Sequence, residues 1–183
     1  MSGRELTLEP GRLTLADLRD VADGTVASLR IPDAAWSAND AARGLVDRVV
    51  SEGRRTYGVN TGFGPLSATA IPNDRLAEMQ RRMVLSHCVG TGPPLADGIV
   101  RQVIILKLNT LLQGRSGVRR ELIEMLAALF DRGIVPSIPA KGSVGASGDL
   151  APLAHLTAAL LGLGEVRHGG ELQDAGAALG RAG

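Results

Sequence analysis

The sequence predicts a mainly α-helical protein with a few short strands, and three observations favour this fold class. Of its 183 residues, 44% are hydrophobic but only 2% are aromatic. The core must therefore consist of aliphatic and alanine side chains, which favours packing of helix on helix. Apolar residues recur at helical spacing in several separate stretches. Glycine or proline ends most of these stretches, as is typical where a helix stops.

The first 31 residues are predicted to place a short helix between two short strands. Strands are expected at 6–8 and 26–31. Thr14, followed three residues later by Asp17, is typical of a residue pair that caps a helix. Apolar side chains on one face of that helix are expected to point inward, and these are Leu15, Leu18 and Val21.

Two longer helices are predicted next, with a loop between them. Ser37 is expected to cap the first of these helices, which ends at Gly53. Its apolar residues at helical spacing are Ala41, Leu45, Val46 and Val49. Segment 54–70 is rich in glycine and has no periodicity, which indicates a loop. Asn73 is expected to cap a helix that reaches His87, and the glycines and prolines of 90–94 then break the chain.

The remaining segments centre on one very apolar helix. Segment 97–113 is apolar on most sides and should be central. Left without other helices over it, this segment would stay partly exposed, which predicts an obligate oligomer. Segment 118–132 is amphipathic, 134–139 is extended because of its prolines, 166–172 is a hairpin, and 174–181 is a short helix. The inward side chains of the amphipathic helix are predicted to be Leu122, Leu126, Leu129 and Phe130.

Composition excludes several classes of function. Twenty basic against nineteen acidic residues leave a net charge of +1, which gives no indication of nucleic-acid binding. The sequence contains neither a signal-peptide pattern nor an apolar run long enough to span a membrane. The single cysteine, Cys88, rules out an internal disulfide and fits a cytoplasmic location. His155 and His168 lack neighbours at metal-ligand spacing, so no protein-bound metal is expected and His155 is predicted to have a structural role.

The most distinctive stretch is 141–156, K-G-S-V-G-A-S-G-D-L-A-P-L-A-H-L, and it has three explanations. The first is a glycine-rich phosphate-binding loop. The glycines at 142, 145 and 148 match neither the dinucleotide-binding pattern G-x-G-x-x-G nor the phosphate-binding loop G-x-x-x-x-G-K-[ST], and Asp149 would place a carboxylate against the phosphate. A loop-to-helix junction is the second, with Asp149 as N-cap, Pro152 in the first turn and a helix to about residue 163. That helix would turn four leucines toward a core, Leu153, Leu156, Leu160 and Leu161.

The third explanation is chemistry of the backbone itself. The nitrogen of Gly148, which has no side-chain bulk, could attack the carbonyl carbon of Ala146. The hydroxyl of Ser147 could then leave as water. Cyclisation with loss of two waters would give a five-membered imidazolone with an exocyclic methylidene. Such a group is an electrophile, which the ordinary side chains do not provide.

The same residues carry a resemblance to a known family. Segment 142–155, G-S-V-G-A-S-G-D-L-A-P-L-A-H, resembles the signature of the aromatic amino acid ammonia-lyases and aminomutases, and most closely that of the histidine ammonia-lyases. Two further stretches agree, T-Y-G-V-N-T-G-F-G at 56–64 and L-S-H at 85–87. The resemblance implies the N-terminal part of the ammonia-lyase (fumarase/aspartase-like) helical superfold. Residues 1–183 would form the domain that bears the electrophile on a glycine-rich active-site loop.

The resemblance also implies roles for individual residues. Ala146, Ser147 and Gly148 would form the 4-methylidene-imidazol-5-one (MIO) group, with no metal or nucleotide needed, and Asp149 would assist the cyclisation. Tyr57 would be the catalytic base, although an isolated tyrosine in such a loop is more typical of an aromatic plug.

Three further positions of the resemblance concern the substrate. Gly64 would line the substrate pocket. His87 and Cys88 would select the substrate ring, although a histidine at a helix end is typically a capping or dipole partner. Cys88 stands where histidine lyases carry alanine and tyrosine lyases carry leucine. Because cysteine is small, L-histidine is the first choice of substrate and tyrosine the second.

The implied reaction is non-oxidative loss of ammonia from an aromatic L-amino acid, giving trans-urocanate when the substrate is histidine. Family members continue into a long helical bundle beyond the region matched here, and this bundle supplies an arginine for the substrate carboxylate. The expectation is therefore a subunit that acts with a partner chain carrying the bundle, in a tetramer-like hetero- or homo-oligomer. Two alternatives are a tyrosine ammonia-lyase or aminomutase subunit, and a truncated relative that binds or regulates without catalysis.

Overall fold

The computed structural model describes residues 3–145 and 150–183, and helices dominate it, as the sequence predicts. The described residues contain seven α-helices: α1 (Leu15–Ala22), α2 (Asp33–Ser51), α3 (Leu76–His87), α4 (Asp97–Leu111), α5 (Arg120–Asp131), α6 (Leu150–Leu160) and α7 (Ala175–Ala182). Their short strands are β1 (Arg4–Thr7), β2 (Val26–Arg30), β3 (Thr91–Pro94), β4 (Val135–Pro136), β5 (Pro139–Lys141), β6 (Glu165–His168) and β7 (Glu171–Asp174).

Helix α1 connects two parallel strands, β1 and β2, and its predicted cap is confirmed. The Thr14 hydroxyl accepts from the Asp17 N–H at 3.2 Å, and the Asp17 carboxylate accepts from the Thr14 N–H at 3.1 Å. Val21 is buried and Leu18 packs against the core. Leu15 is 82% exposed, so its predicted inward orientation is wrong. Leu15 is the first residue of α1, and the core contacts of this helix are made further along it, by Leu18 and Val21.

Helix α2 begins at Asp33, four residues before the predicted cap at Ser37, which is therefore wrong. Pro32 precedes the helix in an extended conformation, and Asp33 places a carboxylate in the first turn, where the helix dipole favours it. The buried face contains Asn39, whose amide donates to the Val118 carbonyl at 3.2 Å. Of the apolar residues at helical spacing in this helix, Val49 is buried and Leu45 is half exposed.

Helix α3 follows a short 3₁₀ turn, Asn73–Arg75, rather than beginning directly at Asn73. Asn73 does not cap α3, because the 3₁₀ turn places it three residues before Leu76 and Arg75 occupies the N-cap position. Its amide nitrogen donates to the Val50 carbonyl at 3.4 Å. The chain break predicted at 90–94 contains strand β3, which pairs antiparallel with β5. This pairing was not predicted, since its partner lies far along the chain.

Helix α4 lies at the centre of the core, as predicted, and packs against α1 and α5. Its buried residues are Val100, Ile104, Ile105, Leu108 and Leu111. The Arg101 guanidinium lies 4.1 Å from the centre of the Phe130 ring and donates to the Val26 carbonyl, which fixes α4 on α5 and β2. Ile99 and Leu106 remain exposed on the outer face of α4. Among the described residues, no helix is long and apolar enough to cross a membrane.

The C-terminal elements largely match the prediction. Strands β6 and β7 form the expected hairpin, and β6 also pairs with β4. Asp174 caps α7 by accepting from the Ala177 N–H at 2.9 Å. Helix α6 ends at Leu160 rather than about residue 163, and Leu161 is exposed instead of facing the core. The predicted cap of α6, Asp149, lies outside the described residues.

Candidate active site

The structure brings the end of α3 close to both flanks of the Ala-Ser-Gly segment. Helix α3 packs against α6, which begins just after that segment. Strand β3 pairs with β5, which ends just before it, with Thr91 opposite Lys141. The described residues on its two sides thus belong to a strand that pairs with β3 and a helix that packs against α3. Ala146, Ser147, Gly148 and Asp149 themselves lie outside the described residues.

These three segments meet closely at Gly90. The Gly90 N–H donates to Nε2 of His155 on α6 at 3.1 Å. A Cβ atom on Gly90 would lie 3.0 Å from that nitrogen and 3.2 Å from Cβ of Pro139. A Cβ atom on Gly142 would lie 3.0 Å from Cα of Gly90 and 3.1 Å from Cβ of Ala151. Both distances are shorter than ordinary van der Waals contact, so a side chain at either position would require its neighbours to shift. The junction therefore favours glycine.

His155 holds a neutral ring at this junction. An amide N–H can only donate, so Nε2 must accept and the ring proton is carried by Nδ1. Burial lowers the pKa of His155, which favours this neutral form. The sequence predicted a structural role for His155. Its contact with Gly90 was missed, because it joins segments that no local pattern connects.

His87 is the last residue of α3, and its ring orientation is fixed by the helix. Nδ1 lies 2.7 Å from the carbonyl oxygen of Met83. Because a carbonyl oxygen can only accept, Nδ1 carries a proton. In the tautomer with this one ring proton, Nε2 is the acceptor. The described residues provide no hydrogen-bond partner for Nε2. The capping interpretation is thus confirmed for one ring nitrogen, while the other stays available to a ligand.

Cys88 lies directly beyond α3 and is half-buried. Burial raises the pKa of its thiol, so it stays protonated at neutral pH. Cys88 and His155 line a cavity of about 180 Å³ between α3, α6 and strand β6; the other lining residues are Leu85, Ser137, Ala158, Leu163, Gly164 and Glu165. A larger groove of about 390 Å³, near Ala38 and Arg115, contains none of the predicted site residues. Size alone therefore does not identify the site.

Tyr57 lies in the loop between α2 and α3. Its side chain is 63% exposed, so the alternative of an aromatic plug is wrong. The ring contacts Phe63 edge-on, with ring centres 5.7 Å apart. Gly64 begins a 3₁₀ turn in the same loop with a φ of +54°, a conformation that favours glycine.

The loop is shaped by a buried side chain, Asn60. Its amide oxygen accepts from the Thr56 N–H at 2.8 Å, and its amide nitrogen donates to the Arg54 carbonyl at 3.1 Å. The described side-chain hydrogen bonds of Asn60 thus stay inside the loop. The structure places His87 and Cys88 beside α6, whereas Tyr57 and Gly64 lie in this self-contained loop.

Within residues 3–145 and 150–183, no group of three or more histidine, cysteine, aspartate or glutamate side chains is arranged to hold a metal ion.

Comparison with known proteins matches the chain to an aromatic amino acid lyase family model over residues 13–183. A histidine ammonia-lyase from Paracidovorax citrulli is 52% identical over 167 residues, which are 91% of this chain and 32% of that protein. A histidine ammonia-lyase from Salmonella typhi is 51% identical over 178 residues, which are 97% of this chain and 35% of that protein. The chain thus spans about a third of the length of the curated relatives it matches.

Solved structures share the fold. Histidine ammonia-lyase from Trypanosoma cruzi is 34% identical with a TM-score of 0.89, over 98% of this chain and 34% of that one. A tyrosine aminomutase from Streptomyces globisporus is 30% identical with a TM-score of 0.87, over 97% of this chain and 33% of that one. Ergothionase from Treponema denticola is 31% identical with a TM-score of 0.93, over 98% of this chain and 36% of that one.

Proposed function

Because the chain belongs to the aromatic amino acid lyase family, we propose that it forms the N-terminal part of an ammonia-lyase whose substrate is L-histidine and whose product is trans-urocanate. One observation carries this proposal. Across 91% to 98% of its length, the chain is 47% to 52% identical to curated histidine ammonia-lyases. The solved aminomutases that resemble it are only 27% to 30% identical.

The tripeptide Ala146-Ser147-Gly148 is proposed as the source of an MIO group. The residues present fit this assignment, because they have the required order and lie in a short segment held at both ends. Lys141 is paired with Thr91 on one side, and Ala151 is buried on the other. Once formed, the MIO group supplies the electrophile that activates the substrate for loss of ammonia. Asp149 is proposed to assist the cyclisation.

Tyr57 is proposed as the base that takes the β-proton of the substrate. Its exposed phenol is not used by the core of this chain, so it is available to a substrate bound between chains. The ordinary pKa of a phenol is about 10, and the complete site has to favour the phenolate for this role. Gly64, in the same loop, is proposed to line the pocket.

His87 and Cys88 are proposed to recognise the substrate ring. With its proton on Nδ1, the neutral His87 ring presents Nε2 as an acceptor, which suits the N–H of an imidazole. Cys88 is small and half-buried, and leaves room for such a ring. The hydroxyl of tyrosine could also donate to Nε2. His87 therefore does not by itself exclude a tyrosine ammonia-lyase or an aminomutase. The product of the reaction distinguishes these two from a histidine ammonia-lyase.

The site is proposed to be completed by the helical bundle that extends beyond the matched third of the relatives, whether continuous with this chain or on a separate polypeptide. Exposed apolar side chains support an obligate association in a tetramer-like oligomer, since Leu15, Ile99 and Leu106 lie at the surface of α1 and α4. The bundle would supply the group that binds the substrate carboxylate. The single cysteine supports a cytoplasmic location.

The function is tested by turnover in the complete assembly. Wild-type protein and a Tyr57→Phe variant, each together with the bundle, are given L-histidine or L-tyrosine, and the products are identified by mass spectrometry. We expect urocanate from the wild type and a loss of at least about 100-fold in kcat for the variant. Stability should change by less than about 0.5 kcal/mol, because the Tyr57 side chain is exposed. If neither L-histidine nor L-tyrosine yields an unsaturated acid, the lyase proposal is contradicted. A β-amino acid product identifies an aminomutase instead.

A further inference from the structure

One hydrogen bond links the two sides of the candidate site. His155 is on the second turn of α6, the helix that follows the Ala146–Gly148 segment. Its Nε2 accepts from the N–H of Gly90, which lies two residues beyond Cys88. The bond therefore connects the chain just beyond α3 to α6, the helix that follows the Ala-Ser-Gly segment in the sequence.

This link is the polar part of a close backbone junction. Gly90 approaches the His155 ring and Pro139 on strand β5, and Gly142 approaches Gly90 and Ala151. Each approach leaves no room for a Cβ atom at ordinary contact distance. A displacement of α6 or β5 would therefore be transmitted to Gly90 and, through it, to Cys88 and His87.

One side of the His155 ring is not closely packed. The ring lines the cavity of about 180 Å³ that Cys88 also lines. On the cavity side the ring is not held by packing, and the hydrogen bond to Gly90 supplies a directional constraint that an apolar side chain of similar size lacks.

We propose that His155 is a positioning residue for substrate selectivity: by accepting a hydrogen bond from Gly90, it fixes His87 and Cys88 relative to the Ala146–Gly148 segment. This inference rests on the proposed function, since it assigns His87 and Cys88 to the substrate ring. His155 acts through Gly90 and does not itself touch the substrate.

The test compares three replacements in the complete assembly. His155→Gln keeps an acceptor at about the position of Nε2, His155→Leu removes it at similar volume, and His155→Asn keeps an amide that is too short to reach Gly90. His168→Leu, at the turn of the outer hairpin, is the matched control for loss of a histidine. Two kinds of experiment are made. Hydrogen exchange is followed for the peptide containing Gly90, and steady-state kinetics give kcat and KM for L-histidine and L-tyrosine.

We expect His155→Leu to speed exchange of the Gly90 amide and to raise KM for L-histidine, each by about threefold to tenfold, the range expected for one neutral hydrogen bond. kcat should stay within about twofold, and the preference for histidine over tyrosine should fall. His155→Gln and His168→Leu should resemble the wild type. If His155→Leu does not fold, His155→Asn should show the same changes relative to His155→Gln.

Two results overturn the inference. One is that both His155→Leu and His155→Asn show the same Gly90 hydrogen-exchange rate and the same KM for L-histidine as the wild type. The other is an equal loss in His155→Gln, because the acceptor would then not be what matters. The two proposals fail separately: an inactive wild-type assembly contradicts the proposed function, whereas an active wild type with unaltered His155 variants contradicts the positioning role alone.

Discussion

Replacing Gly142 with alanine tests the junction on which the site depends. Gly142 has a φ of +150°, which L residues rarely adopt, and such strain costs about 1–3 kcal/mol. The new Cβ atom would lie 3.0 Å from Cα of Gly90 and 3.1 Å from Cβ of Ala151, well inside the usual contact distance. Overpacking of this kind costs about another 1–3 kcal/mol. The expected loss of unfolding free energy is therefore about 2–6 kcal/mol.

Gly145→Ala is the matched control in the same segment. A Cβ atom at Gly145 would meet no atom of the described residues within 4 Å, and its φ is not in the glycine-favouring region. This variant should change the unfolding free energy by less than about 0.5 kcal/mol. Urea denaturation followed by circular dichroism measures both variants. Equal stability of Gly142→Ala and Gly145→Ala would refute the close approach of the three segments.

Three further predictions concern the core, a helix cap and the pH dependence. Leu108→Ala should cost about 2–5 kcal/mol in urea denaturation because Leu108 is fully buried, whereas Leu106→Ala on the exposed face of the same helix should cost less than about 1 kcal/mol; similar losses would contradict the burial assigned to α4. Thr14→Ala should cost about 1 kcal/mol, because the N–H of Asp17 loses its acceptor, and an unchanged denaturation midpoint would argue against the cap. Burial lowers the pKa of His155 below its ordinary 6.5, so its contribution to stability is complete above about pH 6.5 and is lost as the pH falls through the lowered pKa. Thermal unfolding between about pH 7 and pH 5 should therefore depend on pH more steeply in the wild type than in His155→Gln, and parallel curves would contradict this.

Local patterns predicted much of the fold. The Thr14–Asp17 cap and the β6–β7 hairpin depend on residues that are close in sequence, and both are confirmed. The mainly helical fold expected from the resemblance is also confirmed by the solved relatives, with TM-scores of 0.87 to 0.93. Two caps were wrong for physical reasons. Asp33, preceded by Pro32, begins α2 before Ser37, and a 3₁₀ turn from Asn73 to Arg75 delays the start of α3 to Leu76.

Contacts between distant segments could not be predicted in the same way. Strand β3 has the sequence Thr-Gly-Pro-Pro, which is typical of a chain break, and it becomes a strand only because β5 lies beside it. The hydrogen bond from Gly90 to His155 likewise depends on the packing of α3 against α6. The roles proposed for Tyr57 and His87 rest on the resemblance rather than on spacing, since neither residue lies in a periodic pattern that indicates chemistry.

The most direct test of the account is the mass of the chain after expression, measured intact and after proteolysis. If Ala146, Ser147 and Gly148 form the proposed electrophile, the chain should be lighter than its sequence requires by two water molecules. The whole deficit should lie in the peptide that contains these three residues, and it should be absent from a Ser147→Ala variant. A full-length, unmodified mass for that peptide in the folded, complete assembly would contradict the central claim.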